Sequence, residues 1–222
     1  MILAYETSTN VCSVSFQDRT GRIYERRTQG RGVHSDNVFL FTQGFMEEHN
    51  FTMEEVDVVL VSNGPGSYTG LRIGASAIKG LLFGLDVPLF ACDTLASFAI
   101  SPEGTEGHTI HGIIDARRIH VYHQAFDLEK GRLISRGEAK VIELLEFEKN
   151  ISSDDVIVGT GTLRLTEGLI DESQIYDERS VSANSLLKLY QLPNFKKYCK
   201  KVTPEALDPN YVTSSQVNNS DQ

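Results

Sequence analysis

The sequence predicts an α/β fold of two lobes, each built on a mixed β-sheet, and three features carry that reading. The chain opens with three consecutive strand patterns separated by short polar turns. Helices and strands then alternate, with a glycine-rich turn between a β-branched run and a helix of small apolar residues. Beyond a polar joint at residues 101–107 the three-strand pattern begins again, as a duplicated fold requires.

Residues 2–6, 11–17 and 22–28 read as strands, with Thr7-Ser-Thr-Asn10 and Asp18-Arg-Thr-Gly21 as the turns between them. Ser35 is placed to cap a helix running to about His49. A strand at 56–62, the glycine turn, a helix at 71–84, a strand at 87–92 and a helix from Asp93 to about Ile100 follow. Ser101-Pro-Glu-Gly-Thr-Glu-Gly107 is the predicted boundary, giving lobes 1–100 and 101–212. The second lobe is predicted to hold strands at 109–115, 119–127 and 132–139, a helix near 141–149 and a strand at 156–159. A turn at Gly159-Thr-Gly161 and helices near 162–170 and 182–192 complete it, so it is the smaller lobe. The polar residues 213–222 are expected to be a disordered tail. A meander leading into helix-crossed parallel strands is the order of the actin/Hsp70/sugar-kinase lobe.

Composition narrows the function classes. At 222 residues and 40% hydrophobic, the chain can bury one sizeable core or two small ones. No apolar run approaches the roughly 18 residues of a membrane-spanning helix. The opening Met-Ile-Leu-Ala-Tyr-Glu has no basic stretch, so no signal peptide is expected. Cys12, Cys92 and Cys199 are far apart and odd in number, which predicts reduced thiols in a cytoplasmic protein. A net charge of −9 provides no global attraction to nucleic acid. Two basic clusters, Arg22/Arg26/Arg27/Arg31 and Lys196/Lys197/Lys200/Lys201, read as a solvated strand edge and a solvated helix face, with phosphate contact as the alternative.

A glycine-rich strand-to-helix turn is a common anion site, because backbone N–H groups and a helix N-terminus face outward there. Residues 64–74 fit none of the familiar loops. Leu71-Arg72 replaces the Lys-Ser/Thr of a P-loop, Gly70 comes one residue late for a dinucleotide fingerprint, and Ser67 comes one place early for a nucleophile elbow. Kinases and ATPases of the actin-like superfamily place an acid in the first hairpin, and Glu6 occupies that position, followed by Thr7, Ser8 and Thr9. Asp115 occupies the corresponding hairpin of the second lobe. Together with Gly64, Gly66 and Ser67 these residues form a candidate nucleotide or anion site. The competing reading is structural: a hairpin capped by its own hydroxyls, and Asp115 capping its turn or pairing with Arg117.

If Asp115 paired with Ile119, His111 would lie opposite His123, with no carboxylate or thiol predicted to join them in a metal site. No Ser-His-Asp or Cys-His set assembles from the local motifs. The helices are more telling. Val38, Phe41 and Phe45 form one stripe of the first, with Phe39 and Met46 on another flank. The second mixes Ile73, Ala77 and Leu81 with Gly74 and Gly80. Helices apolar nearly all round require burial on both sides. Val38, Phe41, Phe45, Ile73, Ala77 and Leu81 are therefore predicted to form a partner interface.

The stretch Gly64-Pro-Gly-Ser-Tyr-Thr-Gly-Leu-Arg-Ile-Gly74 strongly resembles the signature of the bacterial TsaB/YeaZ family. Ile2-Leu-Ala-Tyr-Glu-Thr-Ser-Thr9, His34-Ser35, Asp115-Ala-Arg117 with Tyr122, and Pro209-Asn-Tyr211 extend the resemblance, which is good over residues 1 to about 125. It implies an actin-like fold and an inactive paralogue of the enzyme TsaD, in the system that adds a threonylcarbamoyl group to the tRNA adenosine beside the anticodon. No cofactor is then expected in this chain; ATP and metal belong to partner subunits. The implied partners are a TsaD-like catalytic paralogue and a TsaE-like ATPase, with a homodimer as a further state, tRNA reached indirectly and no membrane. Two positions bear on activity. Relatives carry Asp where Glu6 stands, and His34 is followed four residues later by Val38, where the catalytic relative has a second metal-binding histidine. The rival is an enzyme of the same fold: a small ATP-dependent phosphotransferase using Glu6 and Asp115, or a glycoprotease-like metallopeptidase.

Overall fold

The computed structural model describes residues 1–212; the tail at 213–222 lies outside the described residues. In the first sheet β1 (Ile2–Glu6), β2 (Val11–Gln17) and β3 (Ile23–Gln29) form an antiparallel meander. Strand β4 (Val58–Ser62) lies parallel to β1, and β5 (Leu89–Cys92) lies parallel to β4. The second sheet repeats this plan. Strands β6 (Thr109–Asp115), β7 (His120–Glu129) and β8 (Arg132–Ser135) are antiparallel, and β9 (Lys140–Glu143) also pairs with β7. Strands β10 (Val156–Val158) and β11 (Ile175–Tyr176) then add in parallel beside β6. The last strand, β12 (Cys199–Val202), crosses back and pairs antiparallel with β5. This is the actin-like α/β architecture predicted from the order of elements.

Helices α1 (His34–His49) and α2 (Tyr68–Leu81) cover the outer face of the first sheet. Helix α3 (Thr94–Ala99) lies between the sheets, α4 (Leu144–Lys149) covers the far side of the second, and α5 (Asn184–Tyr190) shares the central layer with α3. Strand alternation sorts side chains into these layers. Leu3, Tyr5, Val59 and Val61 face α1 and α2, whereas Ala4, Leu60 and Cys92 face the central layer. Every residue of α3 is buried, which its small and apolar sequence allows. Its cap Asp93 accepts a 2.8 Å bond from the Ala96 N–H, and burial pushes that carboxyl up to about 6.

Several boundaries differ from expectation. Helix α2 starts at Tyr68, not 71, because Ser67 is its N-cap and accepts from the Gly70 N–H at 3.2 Å. The strand expected at 132–139 stops at Ser135, and Gly137, at φ +104°, turns the chain before β9 starts. The helix expected over 162–170 is a single 3-10 turn, Thr160–Arg164. Residues 199–202, expected in the second lobe, form the edge strand of the first sheet. Lys200 and Lys201 therefore lie on a strand and not on a helix face.

Two glycines of α2 have opposite surroundings. A Cβ on Gly70 would strike the Thr7 carbonyl, whereas one on Gly80 meets nothing within 4 Å. Gly70→Ala is expected to cost about 1–3 kcal/mol through overpacking. Gly80→Ala should stabilise the isolated chain by about 0.5–1 kcal/mol through helix propensity. Urea unfolding of the two variants measures both.

Candidate functional site

The β1–β2 hairpin and the glycine turn meet directly. Gly66, Gly70 and Gly74 sit against residues 7 and 8 so closely that a Cβ on any of them would enter the Ser8 carbonyl, the Thr7 carbonyl or the Thr7 hydroxyl. Three backbone N–H groups of the turn are engaged by the protein. Ser67 N–H donates to the Ser8 carbonyl at 2.6 Å, Gly64 N–H to Thr94 Oγ1 at 3.0 Å, and Gly70 N–H to the Ser67 hydroxyl. Thr7, Ser8 and Glu6 are all fully buried.

Glu6 is held from its own hairpin. Its Oε1 accepts the Ser8 N–H at 2.6 Å and the Ser8 hydroxyl at 2.5 Å. Loss of hydration raises its pKa to about 7 despite these bonds, because burial penalises the carboxylate more than Ser8 stabilises it. Its other oxygen, Oε2, is buried with no hydrogen-bond partner among the described residues. Asp115 is also committed. Its Oδ1 caps the turn by accepting the Arg117 N–H at 2.8 Å and pairs with Arg164 Nη1, so the partner is Arg164 and not Arg117. The sequence therefore located six of the seven candidate anion-site residues together, Glu6, Thr7, Ser8, Gly64, Gly66 and Ser67, with Asp115 set apart on the second sheet. None of them lines the cleft between the sheets, which has a volume of about 350 Å³ and Asp93, Gln124, Tyr198 and Asn210 among its walls.

His34, the first residue of α1, is buried against the turn at Thr9 and Val11, and burial lowers its pKa. The register expected for the second hairpin is corrected by two residues: Asp115 pairs with Val121, and His111 with Ala125. The imidazoles still meet diagonally, with His111 Nδ1 and His123 Nε2 at 2.9 Å. A carboxylate does join them, since His111 Nε2 lies 3.1 Å from Asp155 Oδ2. Burial pushes the His123 pKa down to about 3. Among the described residues no group of three or more His, Cys, Asp or Glu side chains has metal-ligand geometry.

The helix pair presents the other candidate site, in a different rotation from that expected. Val38, Phe45 and Ala77 are buried in the core under the helices, and Phe41, Ile73 and Leu81 are half-buried. The solvent side of α1 instead carries Phe39 and Leu40, 46% and 58% exposed. On α2, Tyr68, Arg72, Ser76 and Lys79 point outward, and Phe83 just past its end is 89% exposed. The signal was present in the sequence, because Val38, Thr42, Phe45 and His49 follow the inward period and leave Phe39 and Leu40 off it. Arg26 and Arg27 are occupied within the fold: Arg26 bonds Glu48 at 2.9 Å, and Arg27 donates to the Val181 and Glu178 carbonyls.

A family model described as "TsaD: tRNA N6-adenosine threonylcarbamoyltransferase" matches residues 30–160, more than half of the chain. The chain belongs to the TsaD family. Within it the similarity falls in the TsaB/YeaZ branch. The tRNA threonylcarbamoyladenosine biosynthesis protein TsaB of Haemophilus influenzae is 30% identical over 132 residues, 59% of this chain and 56% of that protein. TsaB of Bacillus subtilis is 30% identical over 132 residues, 60% of this chain and 57% of that protein. The match thus spans little more than half the length of these two relatives. TsaB of Buchnera aphidicola subsp. Baizongia pistaciae is 24% identical over 214 residues, 91% of this chain and 96% of its own. The solved structure "YeaZ from Pseudomonas aeruginosa" shares the fold with a TM-score of 0.73 at 24% identity, covering 95% of this chain and 99% of that one. Among the described residues no helix is long and apolar enough to cross a membrane.

The buried carboxyl of Glu6 sets a pH dependence. From the ordinary 4.5 to its raised pKa of about 7, the native state keeps a proton that the unfolded chain has released. Stability therefore falls as pH rises through that window and levels off above it. Glu6→Gln, which imitates the protonated group, is expected to flatten this slope. At pH 8 it should gain on the order of 1–3 kcal/mol over the parent, with little difference near pH 4.5. Urea unfolding across that pH range checks it; an equal offset at every pH would contradict it.

Proposed function

We propose that the chain is a non-catalytic scaffold in the formation of N6-threonylcarbamoyladenosine on tRNA, docking a TsaD-like catalytic paralogue through the outer side of α1 and α2. One observation carries the reading. Phe39 and Leu40 on α1 and Phe83 just past the end of α2 stand 46%, 58% and 89% exposed, and the two helices pack side by side. Soluble monomers rarely leave a large contiguous apolar patch uncovered. Ser76 is small, and Gly80 opens on empty space, so a helix from a partner can approach closely. Phe41, Ile73 and Leu81, half-buried, form the floor of that face; Val38, Phe45 and Ala77 support it from inside.

The state of the acids supports a non-catalytic role. Glu6 is enclosed by its own hairpin and Asp115 is engaged by Arg164, which speaks against the phosphotransferase reading. His34 has no second imidazole one turn away, which speaks against the metallopeptidase. In this proposal ATP, metal and chemistry belong to the TsaD-like and TsaE-like subunits of a cytoplasmic assembly, and tRNA is reached through them. A homodimer would use the same face and so compete with the catalytic partner. The first sheet, with β12, forms the lobe that carries the interface; the second sheet forms the reduced lobe.

Leu40→Asp and Phe83→Asp change side chains that contact mainly solvent. Each is expected to leave the stability of the isolated chain within about 0.5 kcal/mol, while weakening association with a TsaD-like paralogue at least about tenfold. Phe45→Asp, 2% exposed, is expected instead to unfold the chain. Thermal unfolding and size-exclusion chromatography of the mixture separate these effects. Unchanged association of both surface variants would refute the interface.

A further inference from the structure

The return of β12 to the first sheet places two thiols face to face. Cys199 is the register partner of Cys92 across β12 and β5. The neighbouring pair is joined by the Asp93 N–H donating to the Tyr198 carbonyl at 2.8 Å. Hydrogen-bonded and non-hydrogen-bonded pairs alternate along an antiparallel ladder, so Cys92 and Cys199 form the non-hydrogen-bonded kind, with Cα atoms about 4.5 Å apart. A disulfide spans Cα separations of about 4.4–6.8 Å. Both side chains enter the same apolar layer between the sheets, where the Cys92 thiol donates to the Phe90 carbonyl at 3.7 Å. Cys12 faces the opposite layer, under α1 and α2.

We infer that Cys92 and Cys199 are a reversible modification site, a dithiol that a small-molecule disulfide converts to a cross-strand disulfide. One thiolate attacks the oxidant's S–S bond, forming a mixed disulfide and releasing one thiol. The second thiolate attacks the protein sulfur of that intermediate and releases the other. The two cysteines lose two electrons and two protons; the oxidant gains both and leaves as two thiols.

Access is the controlling step. Both thiols are buried, and burial raises the Cys92 pKa well above its usual value, so the seated pair reacts slowly. Strand β12 is a four-residue edge strand bonded only to β5, so local opening there exposes both sulfurs. The bond then ties down the segment that follows. Asn210 N–H donates to the Asn63 carbonyl at 2.7 Å, Asn63 Nδ2 donates to the Asp208 carbonyl at 3.1 Å, and Arg72 Nε donates to the Tyr211 hydroxyl at 3.1 Å. Oxidation of this pair would thereby fasten the C-terminal strap that holds the glycine turn and the start of α2.

The test is incubation of the folded chain with excess oxidised glutathione, followed by thiol counting in denaturant, intact mass and peptide mapping. The expected result is a fall from three thiols to one, a mass lower by two hydrogen atoms and a Cys92–Cys199 cross-link reversed by dithiothreitol. Thermal unfolding should rise by several degrees in the oxidised form. Cys12→Ser should still lose both remaining thiols, whereas Cys199→Ser should keep Cys12 and Cys92 reduced. Three persistent thiols, a retained glutathione adduct or a cross-link through Cys12 would each overturn the inference.

Discussion

Close contact between the glycine turn and the first hairpin is the constraint on which the rest of this structure depends. With Gly66, Gly70 and Gly74 lying on residues 7 and 8, the Gly64, Ser67 and Gly70 amides point into protein hydrogen bonds. The same contact fixes the rotation of α2. Once Gly70, Gly74 and Ile78 face the sheet, Arg72, Ser76 and Phe83 must face outward. The engaged turn amides and the outward side of α2 are therefore two consequences of one packing arrangement.

The electrostatics agree with that arrangement. Glu6 is wholly enclosed and raised in pKa by desolvation. The hairpin trades solvation of its acid for dense packing, a loss of stability that grows with pH. Asp115, more exposed, is neutralised by Arg164 across the second sheet. The equivalent hairpins of the two sheets each hold an acid engaged by protein hydrogen bonds, while Phe39 and Leu40 on α1 and Phe83 just past α2 are exposed.

Much of this could be read from the residues. The repeated meander and the parallel strands followed from hydrophobic period and turn chemistry, which act locally. The return of β12 was not legible, because Cys199-Lys-Lys-Val202 is short and its pairing with β5 spans over a hundred residues of sequence. The histidine pair was anticipated from the wrong register, since two positive-φ residues, Arg117 and Arg118, lengthen the turn beyond what the sequence suggested. On α1 and α2 the stripe predicted to face a partner includes Val38, Phe45 and Ala77, which are buried in the core. An apolar residue can face a core or a partner with equal ease, and only the sheet beneath α1 shows that Val38 and Phe45 face inward while Leu40 does not.

Backbone amide hydrogen exchange, measured with and without a TsaD-like paralogue, tests the central claim most directly. Added protection should centre on residues 34–49 and 68–83, leaving the outer strands of the second sheet unchanged. Protection centred instead on the cleft between the sheets, or absent from both helices, would contradict the assignment of that face as the docking surface.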